Sequence, residues 1–237
     1  MIGAIVSPAL RARVRGLALP VALAFGRLGF TPNALTVIGF GISLAAAIAA
    51  GFGVWIVAGL LVVFGGVFDL FDGALARATN RVSRLGAFLD SVFDRAGEAV
   101  IYLGIIAASQ AAGFTPGTIL GGAAMAASFM VSYTRAKSES LGFTPGTKMA
   151  NVGVAPREVR LVILTIGLFL TGVFGGIVRP VTVFGAVDPW WAGRPALAAS
   201  LGLIALLATI TTIQRIVHVT RQAPPEEAAS PAGDQQP

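Results

Sequence analysis

Apolar residues run through this chain in stretches of about twenty, separated by short clusters of glycine, proline, asparagine and basic residues. At about 1.5 Å per helical residue, such a stretch crosses a hydrocarbon core roughly 30 Å thick. Six are marked out, at 34–52, 54–79, 85–108, 115–140, 157–177 and 195–219. Backbone groups in lipid must find their hydrogen bonds within the segment, so a bundle of helices follows and open sheets are excluded. Residues 1–28 break the pattern. Arg11, Arg13 and Arg15 are set among apolar residues, and Pro20 and Arg27 interrupt the run. That predicts a helix lying on the membrane surface and argues against a signal peptide. From Gln222 to Pro237 the chain is rich in Pro, Ala, Glu and Gln, which predicts a disordered tail. The predicted fold is an all-α integral membrane protein. An interfacial amphipathic helix in 1–30 precedes a six-helix domain in 31–221, and the tail takes 222–237.

Composition agrees. Of 237 residues, 55% are hydrophobic and 12% charged, where a soluble domain carries about a quarter charged. The net charge of +6 is unevenly distributed. Only Arg179 and Arg194 fall at the far ends of the first, third and fifth spans. At or near the other face are Arg11, Arg13, Arg15, Arg27, Arg77, Arg81, Arg84, Arg95, Arg135, Lys137, Lys148, Arg157, Arg160, Arg215 and Arg221. The positive-inside rule then places both termini in the cytoplasm. The basic balance is accounted for by topology and anionic headgroups, with no nucleic-acid partner implied. Cysteine is absent, which excludes disulfides and thiol chemistry.

Against this apolar background four aspartates stand out. Asp69, Asp72, Ala76 and Arg77 share one helix face at offsets of three and four; Gly86, Asp90, Asp94 and Gly97 do the same on the next helix. Asn80–Arg84 is a plausible turn between them. Folding the hairpin about residue 81 sets Asp72 opposite Asp90, Asp69 opposite Asp94 and Arg77 opposite Gly86, with the glycines letting the backbones approach. Asp72 would then lie roughly 12 Å below the turn at about 1.5 Å per residue. Carboxylates in a membrane segment are costly, and four that face one another repel unless a cation neutralises them. All-oxygen donors favour Mg²⁺, with Mn²⁺ as the alternative, and such ions usually share their coordination with substrate phosphates. Arg77, one turn nearer the surface, suits a phosphate oxygen. A purely structural set of ion pairs would leave the opposed spacing unexplained.

The pattern Asp-x2-Asp-Gly-x2-Ala-Arg-x8-Gly-x3-Asp-x3-Asp, filled by Asp69 through Asp94, resembles the signature of the CDP-alcohol phosphotransferases. Thr31-Pro32-Asn33-Ala34-Leu35-Thr36 before the first span is also similar to that family. The resemblance implies transfer of a substituted phosphate from a CDP-linked donor to an alcohol, with release of CMP. It implies that Asp69, Asp72, Asp90 and Asp94 hold the metal, two ions in all, and that Asp94 takes the proton of the acceptor hydroxyl. Thr31, Pro32, Asn33, Asp69, Asp72, Gly73, Ala76, Arg77 and Ser83 would bind the CDP-lipid. A homodimer in a prokaryotic plasma membrane, with the active site cytoplasmic, is implied in the same way.

Arg135, Lys137, Arg157, Arg160 and Arg215 close or open the last three spans at the cytoplasmic side. As a set they predict an anion pocket, hence a phosphorylated acceptor. Ser132-Tyr133-Thr134-Arg135-Ala136-Lys137, Arg157-Glu158-Val159-Arg160 and Gln214-Arg215 are similar to segments of the phosphatidylinositol phosphate and archaetidylinositol phosphate synthases. That narrower resemblance implies inositol phosphate as acceptor and CDP-diacylglycerol or a CDP-diether lipid as donor. The alternatives are glycerol 3-phosphate or another polyol phosphate as acceptor, and, in a different class, a divalent-cation transporter. Glu98 is expected to pair with Arg95, Glu139 with Arg135, and His218 to serve as a helix-end residue. Asp188, Trp190 and Trp191 read as a solvated outer loop with an aromatic belt.

Overall fold

The computed structural model describes residues 8–143, 149, 152–178 and 193–222, with the backbone alone over 8–17. Seven helices and no strand are found among them: α1 Pro8–Arg27, α2 Pro32–Gly51, α3 Trp55–Ala78, α4 Arg84–Ala111, α5 Thr115–Ser140, α6 Arg157–Val173 and α7 Gly193–Thr220. Each predicted span has its helix in α2–α7, and α1 lies where the surface helix is predicted. The fifth span ends earlier than expected, because Gly175 and Gly176 adopt φ of 84° and 81° just beyond Val173 and leave the helical path. Lys148, Arg179, Asp188, Trp190, Trp191 and 223–237 lie outside the described residues.

By length and apolar composition alone, α2, α3 and α7 are able to cross a membrane. The other three fall short for identifiable reasons. α4 spends Asp90, Asp94, Arg95 and Glu98 within its length, α5 ends on Arg135, Lys137 and Glu139, and α6 has 17 residues. An all-α membrane architecture stands on the three apolar helices.

Local chemistry explains where α2 and α4 begin. The Thr31 hydroxyl accepts from Ala34 N at 3.2 Å ahead of Pro32, and the Ser83 hydroxyl accepts from Gly86 N at 3.0 Å. Both are N-caps, and proline in the first turn forfeits only a donor that is orphaned anyway. Asn80, with φ 53°, supplies the reversal after α3, a conformation asparagine tolerates better than most residues.

Helices α2–α7 pack in a closed ring in the order α2, α3, α6, α7, α5, α4 and back to α2, with α1 outside against α3. Phe25, Phe68, Phe71 and Leu75 make the α1–α3 contact. One half of the ring is filled by an apolar core that includes Trp55, Tyr102, Ile105, Leu164, Leu168, Leu201 and Ile204. The other half, where α2, α4 and α6 start and α3, α5 and α7 end, holds the charged residues apart from Arg194, which stands at the start of α7 beside Ala112.

This order corrects the hairpin expectation. α3 and α4 do not pack closely on each other; each packs against α2. The glycine seams follow. A Cβ on Gly97 would sit 2.9 Å from Ser43 Oγ, one on Gly65 3.5 Å from the same atom, and Gly104 abuts the Ala47 backbone. Gly86 meets Asn33 and Ser83, not Arg77. The small residues dock on the apolar α2, which leaves the carboxylates of α3 and α4 facing a shared interior.

Candidate active site

Three helices supply the centre. From α3, Asp69 Oδ2 accepts from Arg157 Nη1 at 2.7 Å, and the same nitrogen stands 3.0 Å from Asp94 Oδ1 on α4. Two carboxylates from facing helices thus converge on one cationic nitrogen, carried by the first residue of α6. A Cβ at Gly39 would come within 3.2 Å of Asp69 Oδ1, so α2 presents bare backbone beside that carboxylate. Asp90 is half-buried one turn before Asp94.

Asp72 is buried and held differently. It accepts from the Thr36 hydroxyl at 2.7 Å and from the Gly73 amide at 2.5 Å. Two donors on one carboxylate fix its orientation. Thr36 is a site residue that the sequence reading missed. Its signal was available: a hydroxyl one turn after Pro32, on the face of an otherwise apolar helix that meets α3.

The remaining donor-side residues gather at the ring's open end. Arg77 is exposed, and its guanidinium folds back so that a Cβ on Gly73 would lie 3.2 Å from Nη1. Glycine at 73 therefore lets the arginine lie along its own helix. Thr31 and Ser83 act as caps, Pro32 opens α2, and Asn33 Oδ1 is next to Gly86, so the starts of α2 and α4 are joined there. Ala76 is half-buried beside them.

Of the five basic residues predicted as one anion pocket, Arg157 stands at the aspartates and the other four separate into two groups. Arg135 is half-buried and paired with Glu139 at 2.9 Å, as expected for that i,i+4 spacing, and Lys137 is exposed nearby. Arg160 and Arg215 are buried. Arg160 donates from Nε and Nη2 to the two oxygens of Glu98 at 2.9 and 2.8 Å, and from Nη1 to Ala155 O at 3.0 Å. Arg215 donates to Val152 O at 3.0 Å and to Val131 O. The expected pairing of Glu98 with Arg95 is thereby corrected. Arg95 turns back along its own helix to Ser91 O at 2.7 Å and Asp94 at 3.8 Å, while Glu98 faces the interior where Arg160 enters. His218 meets Gln222 at 2.7 Å at the end of α7.

The site's fit to a divalent ion can be tested on its donors. Four carboxylates on two helices form an all-oxygen set of the kind hard cations take, and Asp69 with Asp94 already surround a positive charge. Among the described residues, no three acidic or histidine side chains are gathered tightly enough to ligate one ion as they stand. The donor set fits in kind, with Arg157 holding two of its members.

Comparison with known proteins bears on this geometry. A sequence model of the CDP-alcohol phosphatidyltransferase family matches residues 30–191, which includes every aspartate above. The archaetidylinositol phosphate synthase of Pyrococcus horikoshii is 33% identical over 82% of this chain and 86% of its own. The phosphatidylinositol phosphate synthase of Cutibacterium acnes is 36% identical over 85% and 91%. The crystal structure of Mycobacterium tuberculosis phosphatidylinositol phosphate synthase with CDP-DAG bound superposes with a TM-score of 0.70 at 27% identity, covering 85% of this chain and 92% of that one. The same enzyme has been solved in complex with manganese and citrate, with a TM-score of 0.70 over 86% of this chain. An interior with facing carboxylates, on a ring of apolar helices matched by these proteins, is that of a membrane transferase, and the chain belongs to the CDP-alcohol phosphatidyltransferase family.

Proposed function

We propose that this protein transfers the phosphatidyl group of CDP-diacylglycerol, or the equivalent group of a CDP-diether lipid, to inositol phosphate, giving phosphatidylinositol phosphate and CMP. The observation that carries the proposal is Arg157. It places a guanidinium against both Asp69 and Asp94, where a phosphorylated acceptor would have to deliver its hydroxyl. Relatives named for inositol phosphate products support the acceptor, and a relative solved with CDP-DAG supports the donor.

Each residue then has a task. Asp69, Asp72, Asp90 and Asp94 would hold the ions, two of Mg²⁺ with Mn²⁺ as the alternative. Bound there, the metal supplies neutralisation of the diphosphate and of charge developing on the leaving CMP. Thr36 and the Gly73 amide keep Asp72 aimed. Thr31, Pro32, Asn33, Ser83, Ala76 and Arg77 line the CDP side, with Arg77 free to swing from Gly73 to a phosphate oxygen. Asp94 takes the acceptor hydroxyl proton as the oxygen attacks the lipid-bearing phosphorus and the bond to CMP breaks. Arg157, Arg135 and Lys137 draw the acceptor phosphate in and hold it.

In the same reading α2–α7 form six membrane crossings, with Asp94 and Glu98 of α4 and Arg157 and Arg160 of α6 turned into the ring. α1 lies along the cytoplasmic face of a prokaryotic plasma membrane, both termini are cytoplasmic, and the enzyme is a homodimer. Residues 1–30, 31–221 and 222–237 are its surface helix, catalytic domain and tail. Purified protein with Mg²⁺ and CDP-diacylglycerol should release CMP with inositol phosphate and not with free inositol. Release with glycerol 3-phosphate alone would keep the aspartate chemistry and overturn the acceptor.

A further inference from the structure

Glu98 and Arg160 take no part in the chemistry above, yet their side chains are only 5% and 1% exposed. The carboxylate and guanidinium meet as a two-bonded fork, at 2.9 and 2.8 Å. Burying two charges this deeply is costly, and the better-attested return is geometric definition rather than stability. The ring order indicates what is being defined. α4 packs on α2 and α5, whereas α6 packs on α3 and α7, so α4 and α6 face each other across the interior without close backbone packing. Long side chains cross that space. Asp94 reaches Arg157 and Glu98 reaches Arg160, a step of four residues on α4 and three on α6. Both steps are one helical turn, so the two pairs are successive rungs of one ladder. The deeper rung is dry; the upper one is where substrate is handled.

We infer that Glu98 is a positioning residue: through Arg160 it sets the depth and rotation of α6 so that Arg157 arrives at Asp69 and Asp94. Arg160, spent on Glu98 and Ala155 O, does not touch the acceptor. This inference rests on the proposed transfer reaction for its kinetic readout, and on metal binding for an independent one.

The test is a double-mutant cycle, which separates a residue acting through another from one acting alone. Glu98→Gln should raise the acceptor KM about tenfold while leaving the CDP-lipid KM within about twofold. In an Arg157→Ala background the same substitution should change neither. Mn²⁺ titration gives the readout that needs no turnover. Glu98→Gln should tighten Mn²⁺ binding at least about threefold, because Arg157 is no longer pressed onto the carboxylates, and should have no effect once Arg157 is alanine. If Glu98→Gln does not yield a monodisperse protein, Glu98→Met/Arg160→Met keeps the volume without buried charge and is read in the same cycle. Equal effects with and without Arg157, on KM or on Mn²⁺ affinity, would overturn the inference and return Arg160 to the acceptor pocket. A wild-type enzyme inactive on inositol phosphate would count against the proposed function alone, since the Mn²⁺ arm of the cycle still decides the role of Glu98.

Discussion

Replacing Arg157 by alanine should move two binding constants in opposite directions. Its Nη1 is 2.7 Å from Asp69 and 3.0 Å from Asp94, with the three side chains 26%, 22% and 19% exposed. A charge-assisted hydrogen bond nets about 1.5–3 kcal/mol when dry. Partial exposure screens these contacts to about 1 kcal/mol each, so the two together are worth about 2 kcal/mol. A divalent ion that takes the same oxygens has to displace that guanidinium. Removing it should therefore tighten Mn²⁺ binding by roughly tenfold to thirtyfold, since about 1.4 kcal/mol is a factor of ten. The acceptor loses its phosphate clamp, and its KM should rise by roughly thirtyfold or more. Mn²⁺ titration followed by electron paramagnetic resonance reads the first, and initial rates of CMP release at varied acceptor read the second. Arg157→Lys, which keeps a charge but not the shared nitrogen, should fall between wild type and alanine in both. Weaker Mn²⁺ binding in the alanine variant would refute the reasoning, because it would mean that Arg157 assembles the ion site rather than competes for it.

Other substitutions probe separate parts of the account. Thr36→Val removes the 2.7 Å hydrogen bond to buried Asp72 and should cost about 1.5–3 kcal/mol of stability, read as a fall of several degrees in the melting temperature of the solubilised protein; an unchanged value would show that Asp72 needs no donor from α2. Gly104→Ala drives a methyl into the Ala47 backbone and should destabilise by about 1–3 kcal/mol through overpacking; wild-type melting would mean that the α2–α4 seam is looser than described. Arg77→Ala removes the guanidinium offered to the donor phosphate and should raise the CDP-lipid KM about tenfold, with little change in melting temperature because that side chain is exposed. An unaltered KM would remove Arg77 from the donor site.

The helices were legible because each apolar run is long and its breaks carry their own chemistry. Thr31-Pro32 and Ser83 behave as helix starts, and Asn80 as the reversal, for reasons local to those residues. The face shared by Asp69 and Asp72, and that shared by Asp90 and Asp94, follow from spacing in the same way. What spacing does not encode is which helix each face meets. Spacing alone puts Gly86 and Gly97 on a seam with α3, but they dock on the start of α2 and on Ser43. The apolar α2 accepts close packing, whereas two rows of carboxylates resist it. Arg157 and Arg160 are alike in sequence, one turn apart on one helix. Only the depth of their partners separates a half-exposed arginine at the reacting carboxylates from a fully buried one at Glu98. Thr36 was overlooked for a related reason, since a hydroxyl in an apolar span can satisfy itself on its own helix, and its bond to Asp72 depends on how α2 and α3 meet.

The most direct test is to identify by mass spectrometry the lipid formed from CDP-diacylglycerol and inositol phosphate with Mg²⁺, using wild-type protein and Asp94→Asn side by side. The account predicts phosphatidylinositol phosphate from the wild type, and from Asp94→Asn no product although CDP-lipid is still bound. Product at comparable rates from both would contradict the assignment of Asp94 as the base, and its absence from both would contradict the proposed reaction.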